Sequence, residues 1–183
     1  MRAMLDEFRG VREGFGAGLS LSHQETLKVQ TKIELILSAH GEEFLVLDLG
    51  SNIVTDLGRS DMAHLIAGDS VSNRKVSEVK FGDGGHNPSS PTQALVPTAA
   101  DTDLYGDEVI SKVTSFEFPD GANGTRVTFT ATIAENEGNG SGAQPYSEVG
   151  LYDLDGRMLT HKCFGLITKS DAFAMSIRYT IAF

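Results

Sequence analysis

Asp101-Thr102-Asp103-Leu104-Tyr105-Gly106 opens like a calcium loop, in which oxygens at alternate positions wrap a hard cation. Such a loop needs an oxygen ligand at its fifth position and a bidentate glutamate at its twelfth, where Tyr105 and Lys112 stand. A turn capping the following strand is expected instead. The five histidines, His23, His40, His64, His86 and His161, do not fall at metal-ligand spacing with one another or with Cys163, so a zinc site would have to be assembled entirely by the fold. Cys163 itself, in an alternating segment beside Phe164, reads as buried filler. Gly82-Asp83-Gly84-Gly85 lacks the lysine and the helix start of a phosphate loop and reads as a tight turn. Glu148 and Asp153 could pair as acid and base, but acidic residues at strand ends and turns are usually solvated. No serine occupies the glycine-flanked elbow of nucleophilic hydrolases. These residues therefore imply no catalytic, cofactor-binding or metal-binding set, and an enzyme is not expected.

The elements that would hold such residues are β-strands. From Phe173 to Phe183, Phe173, Met175, Ile177, Tyr179, Ile181 and Phe183 alternate with Ala174, Ser176, Arg178, Thr180 and Ala182, the period of a strand with one buried face. Arg126 to Ile133 repeats the rhythm, and its expected hairpin partner is Val109 to Phe118, across the turn-forming Pro119 to Gly124. A second hairpin joins Ser147 to Tyr152 with Met158 to Phe164, and Gly156 supplies the left-handed residue of its turn. Between the hairpins, Glu135 to Gln144 is polar and rich in glycine and reads as a mobile loop. Ile53 to Ala67 reads as a helix capped by Asn52 and ended by Gly68, although Gly58 interrupts it. Val76 to Phe81 is a short strand, and the loop through Pro88, Pro91 and Pro97 is expected to wrap the sheet.

The first 50 residues differ in character. Met1 to Glu13 could form an amphipathic helix, and the odd positions Leu19, Leu21, Leu27, Val29, Ile33, Leu35 and Leu37 favour extended chain. With Glu43 to Leu49 they give residues 1–50 more apolar surface than a solvated linker carries, so an N-terminal arm covered by another chain is expected, followed by a body at 51–183. The fold class that follows is mainly β: an antiparallel β-sandwich with one helix and an N-terminal arm.

Composition narrows the partners. Fifteen Lys and Arg against 25 Asp and Glu give a formal net charge of -10, with the basic residues scattered, so nucleic acid would be repelled. One cysteine excludes an intrachain disulfide. No window approaches the roughly 18 apolar residues of a membrane span. Asp6, Glu7, Arg9, Arg12 and Glu13 interrupt the place where a signal peptide would be apolar, so folding in a cytoplasm is expected, and Asn123-Gly124-Thr125 and Asn139-Gly140-Ser141 are turn chemistry rather than glycosylation sites.

The order of the elements resembles a known group. Asn52 to Gly58 leads into Lys80-Phe81-Gly82-Asp83-Gly84, a loop ending in Thr92-Gln93-Ala94-Leu95, then Ser147-Glu148-Val149-Gly150-Leu151-Tyr152-Asp153 and Cys163-Phe164-Gly165-Leu166-Ile167-Thr168-Lys169 before a final alternating strand. Over Asn52 to Phe183 this is similar to the small β-rich structural proteins of tailed bacteriophages, the tail-fibre, tail-collar and baseplate-associated components. The resemblance implies a virion building block made in the host cytoplasm. It would assemble as a symmetric homo-oligomer with other tail, neck or baseplate proteins, and no active site is carried over. In the motif Val149 and Leu151 would point into a core, Gly150 would allow close strand approach, and Lys169 would lie in the turn before the last strand. Residues 1–50 have no counterpart in the pattern. A distal shaft or tip is also missing, so a docking or adaptor piece is expected. The alternative is a carbohydrate- or receptor-binding sandwich with loops Gly82 to Gly106 and Glu135 to Gln144 as its binding surface; the absence of tryptophan weakens it.

Overall fold

The computed structural model describes residues 29–68, 72–121 and 124–183. The helix expected over Met1 to Glu13, the positions Leu19, Leu21 and Leu27, and Asn123 of the first glycosylation pattern lie outside the described residues. In chain order the strands are β1 (Gln30–Ala39), β2 (Glu42–Gly50) and β3 (Ile53–Val54), followed by helix α1 (Asp56–Ile66). Then come β4 (Val76–Gly82), β5 (His86–Asn87), β6 (Ser90–Ala94), β7 (Glu108–Val113), β8 (Ser115–Glu117) and β9 (Arg126–Ile133). The last three are β10 (Ala143–Asp153), β11 (Met158–Ser170) and β12 (Ala174–Ala182). Two five-stranded antiparallel sheets result, ordered β2-β1-β12-β9-β8 and β3-β11-β10-β4-β7, with β5 and β6 as a separate ribbon.

The alternating residues meet between the sheets. In the first sheet Leu35, Ile177 and Ala131 lie side by side across β1, β12 and β9, all buried, and Ile33 sits beside Tyr179. Facing them are Val79 and Phe81 of β4 and Val149 and Leu151 of β10. The Tyr179 hydroxyl donates across the gap to the Val149 carbonyl at 3.2 Å, which keeps a buried polar group satisfied and fixes the two sheets against each other. Each buried Ile or Phe here contributes roughly 1.5–3 kcal/mol by leaving water.

Several local expectations change. β1 is not part of an arm covered by another chain: it pairs with β12 from Gln30 to Ser38, and Ile33, Leu35 and Leu37 are covered by the chain's own core. The stretch Val109 to Phe118 is two strands, because it leaves the second sheet at Thr114, whose amide donates to Ser77 O, and enters the first. Its hairpin with β9 therefore holds only the pairs Ser115↔Thr130, Phe116↔Phe129 and Glu117↔Thr128. Ile53 and Val54 pair with β11, so the helix starts later and Thr55 caps it: Thr55 Oγ1 accepts from Gly58 N at 3.0 Å and donates to Met158 O at 2.6 Å. Gly58 is present because the helix lies against β11; a Cβ there would stand 2.2 Å from Leu159 O.

The loop between β9 and β10 is tied down rather than free. Lys169, in β11 and not in a turn, sends its buried amine to Glu137 O (2.8 Å), Asn139 Oδ1 (2.7 Å) and Glu135 O (3.2 Å). Tyr146 OH donates to Gly138 O at 2.7 Å. Among the described residues no helix is long and apolar enough to cross a membrane.

Candidate functional site

The hairpin of β10 and β11 places the only cluster of His, Cys and carboxylate ligand atoms found among the described residues. Gly156, with φ 75°, closes its turn, and Asp153 Oδ1 accepts from the amides of Asp155 and Arg157, both at 2.9 Å. From this turn the register runs Gly150↔His161 and Glu148↔Cys163, then shifts between Tyr146 and Glu148. The irregularity turns both Ser147 and Glu148 toward the segment 83–106, while Val149 and Leu151 stay in the core. His161 and Cys163, two apart on one strand, share the face that Glu148 occupies.

Glu148 is wholly buried, and its four lone-pair directions are all engaged. Oε1 accepts from Gly84 N (2.9 Å) and Gly106 N (2.8 Å), and Oε2 accepts from Tyr105 N (2.8 Å) and His161 Nε2 (3.0 Å). On the other side of the ring, His161 Nδ1 lies 2.8 Å from Asp101 Oδ2. Asp101 also accepts from Thr98 N (2.9 Å), Thr98 Oγ1 (2.6 Å) and Tyr105 OH (2.9 Å). A ring with an acceptor-only carboxylate at each nitrogen donates from both, so His161 is an imidazolium between two anions.

The electrostatics agree with this assignment. Burial alone would lower the His161 pKa, but its bonds to Cys163, Glu148 and Asp101 outweigh that and raise it to about 10. Burial pushes the Asp101 carboxyl up, yet the Thr98, His161 and Tyr105 donors bring it down to about 2. For Glu148, burial is likewise overcome by the imidazolium and the three amides, which hold its pKa below the ordinary glutamate value. The Tyr105 ring packs edge-on against His161 at 4.8 Å.

This arrangement acts as a clasp. It ties the loop carrying Gly84 and the loop carrying Tyr105 and Gly106 onto the second sheet through one carboxylate and one imidazolium. The two loops touch closely: a Cβ on Gly84 would stand 2.2 Å from Gly106 N. Gly82 to Gly85 is thus an amide cradle for the chain's own Glu148 and Ser147, as a tight turn rather than a phosphate loop.

The expected solvated carboxylates are both buried, and they do not converge. Glu148 sits in the clasp, while Asp153 pairs with Arg157, which also reaches Asp61 at 3.1 Å. Asp103, the third residue of the calcium-like stretch, accepts from Tyr152 OH at 2.7 Å, so both of its aspartates are engaged within the chain. His86 Nδ1 lies 3.0 Å from Ser147 Oγ, and His40 occupies a left-handed turn position with φ 53°. Cys163 is buried as expected, but its Sγ lies 3.7 Å from His161 Nε2. The spacing His161-x-Cys163 on an alternating strand, paired through the Gly156 turn with Glu148, was the signal that could have exposed the cluster.

Two apolar surfaces lie elsewhere. β2 forms an edge of the first sheet and exposes Phe44 (58%), Leu45 (40%) and Val46 (48%). A groove of about 350 Å³ opens at one end of the sandwich between α1 and the first sheet, walled by Met62, Leu65, Phe116, Phe118, Phe129 and Phe183. No protein family, no curated protein and no solved structure matches this chain.

Proposed function

We propose that the chain is a structural component of a bacteriophage tail, a fibre-docking, collar or baseplate-type adaptor that assembles with other virion proteins as a symmetric homo-oligomer. The observation that supports this reading is the role of the motif on which the resemblance rests. Glu148 fastens two loops to the sheet, Val149 and Leu151 fill the core, and Lys169 anchors the loop at 135–139. Ser147, Glu148, Asp153 and Lys169 of the motif all spend their polar atoms on holding the sandwich together, the chemistry of a building block. The exposed apolar residues of β2 and the groove beside α1 offer surface for neighbours, and an open strand edge offers unpaired backbone groups for sheet extension.

The glycan-binding alternative draws less support, since loops Gly82 to Gly106 and Glu135 to Gln144 direct many of their polar groups inward to Glu148, His161 and Lys169. Antibody labelling of purified particles, with mass spectrometry of their proteins, tests the proposal. Label on the tail is expected, and absence of the chain from particles overturns it. Sedimentation at micromolar concentration tests the oligomer, which a monomer would contradict, and binding on a glycan array would favour the alternative.

A further inference from the structure

We propose that Glu148, His161 and Cys163 form a binding site for a borderline-soft divalent cation, with zinc the best fit. The inference is independent of the tail reading, since it rests on the clasp alone. Three different donor types converge there: a carboxylate oxygen, an imidazole nitrogen and a thiol sulfur, all within 4.8 Å of one another and all on buried residues. That mixture suits zinc better than the all-oxygen shells of calcium or magnesium.

Two of the three ligand pairs are close to tetrahedral spacing, and the third, Glu148 to Cys163, lies within 4.8 Å. Zinc bonds of about 2.0–2.1 Å to nitrogen, about 2.0–2.2 Å to oxygen and about 2.3 Å to sulfur put ligand atoms roughly 3.3–3.6 Å apart. His161 Nε2 is 3.0 Å from Glu148 Oε2 and 3.7 Å from Cys163 Sγ, so those pairs need to move by only a few tenths of an ångström. The arithmetic of Glu148 points to the same place. Three of its lone pairs hold backbone amides, and the fourth faces the Nε2 proton. A cation at that point replaces a proton and leaves every backbone bond intact.

Cys163 is the second observation. Its sulfur is buried and aimed at the cluster, and the one polar atom it approaches, Nε2, already donates to Glu148. It is a soft donor whose contact, at 3.7 Å, is to the very nitrogen a metal would take.

The groups behind the ligands are those a metal site uses. Asp101 holds His161 Nδ1 at 2.8 Å and is itself fixed by Thr98 and Tyr105, the carboxylate–histidine arrangement that orients a metal-bound ring. Three amides orient Glu148. A water molecule would take the fourth position, and the Tyr105 ring stands edge-on to His161 at 4.8 Å. The exchange balances: the cation enters as the Nε2 proton and the Cys163 thiol proton leave, and no oxidation or reduction takes place.

The test uses the full chain without an affinity tag, treated with chelator, dialysed and titrated with Co²⁺. The expected result is one equivalent of cobalt bound, with visible bands of a tetrahedral ion and a thiolate-to-cobalt band in the near ultraviolet, displaced by Zn²⁺. Cys163→Ser keeps the size of the side chain and should abolish the thiolate band with its circular dichroism unchanged. Asp101→Asn should weaken cobalt binding by about 10- to 100-fold. Absence of a saturable band at millimolar cobalt in the natural chain overturns the proposal, as does a band of equal intensity in Cys163→Ser. If Asp101→Asn fails to fold, zinc protection of Cys163 from alkylation in the natural chain decides the matter, with equal alkylation rates counting against the site.

Discussion

Glu148→Gln isolates the clasp, because it changes charge and hydrogen bonding while keeping volume. Whichever way the amide turns, its NH₂ group meets two buried donors: the amides of Gly84 and Gly106, or the Tyr105 amide and His161 Nε2. A buried donor left unsatisfied costs about 1–3 kcal/mol, and two of them, with the imidazolium deprived of one counter-anion, give about 3–5 kcal/mol. For a domain of this size each kcal/mol moves the melting temperature by about 2–4 °C, so a fall of about 6–20 °C is expected. Thermal unfolding followed by circular dichroism, with chelator present, measures it. A fall of less than about 2 °C would show that the carboxylate does not hold the loops, and the account of the motif would fail with it.

Three further outcomes follow from the same geometry. His161 has a pKa raised to about 10 against an ordinary 6.5, so its stabilisation is complete below pH 6.5 and disappears as pH rises toward 10; Asp101, lowered to about 2 from 3.8, loses its share as pH falls through that interval. Melting temperature should thus be highest between about pH 4 and 6.5 and decline on the alkaline side, and a flat profile from 6.5 to 10 would contradict the charged imidazole. Gly58→Ala, which in an open helix would gain about 1 kcal/mol, should instead destabilise by at least that much, since the new Cβ meets Leu159 O; chemical denaturation compares it with the natural chain. Deleting residues 1–50 should leave an insoluble or unfolded product, because β12 loses the strand that pairs with it from Gln30 to Ser38, and a folded, soluble fragment would show the first sheet to be complete without β1.

The sandwich was legible where strands have one wet and one dry face. The alternation in β9 and β12 and the Gly156 turn lead directly to the observed strands. β1 was harder to assign, because Ile36 is also buried and breaks the alternation, so a strand inside the first sheet reads like a greasy arm. Thr114 gives no local sign of a change of sheet, since its neighbours on both sides favour strand. The candidate site was half legible. His161 and Cys163 share a strand face by spacing alone, but Glu148 looks like a surface carboxylate until the amides of Gly84, Tyr105 and Gly106 are seen to converge on it. Those amides come from loops 42 and more residues upstream, and no local pattern encodes that return.

The pairing of β1 with β12 imposes a schedule on synthesis. Gln30 opposes Ala182, so at about 5–20 residues per second the first strand waits roughly 8–30 s on the ribosome before β12, its neighbour on one side, exists. Until then Ile33, Leu35 and Leu37 lack the core that covers them in the folded chain, and the β1 edge that later takes β12 is open to pairing with another nascent copy. Yield of native protein should therefore depend on translation speed and chaperone supply more than on the final stability of the sandwich.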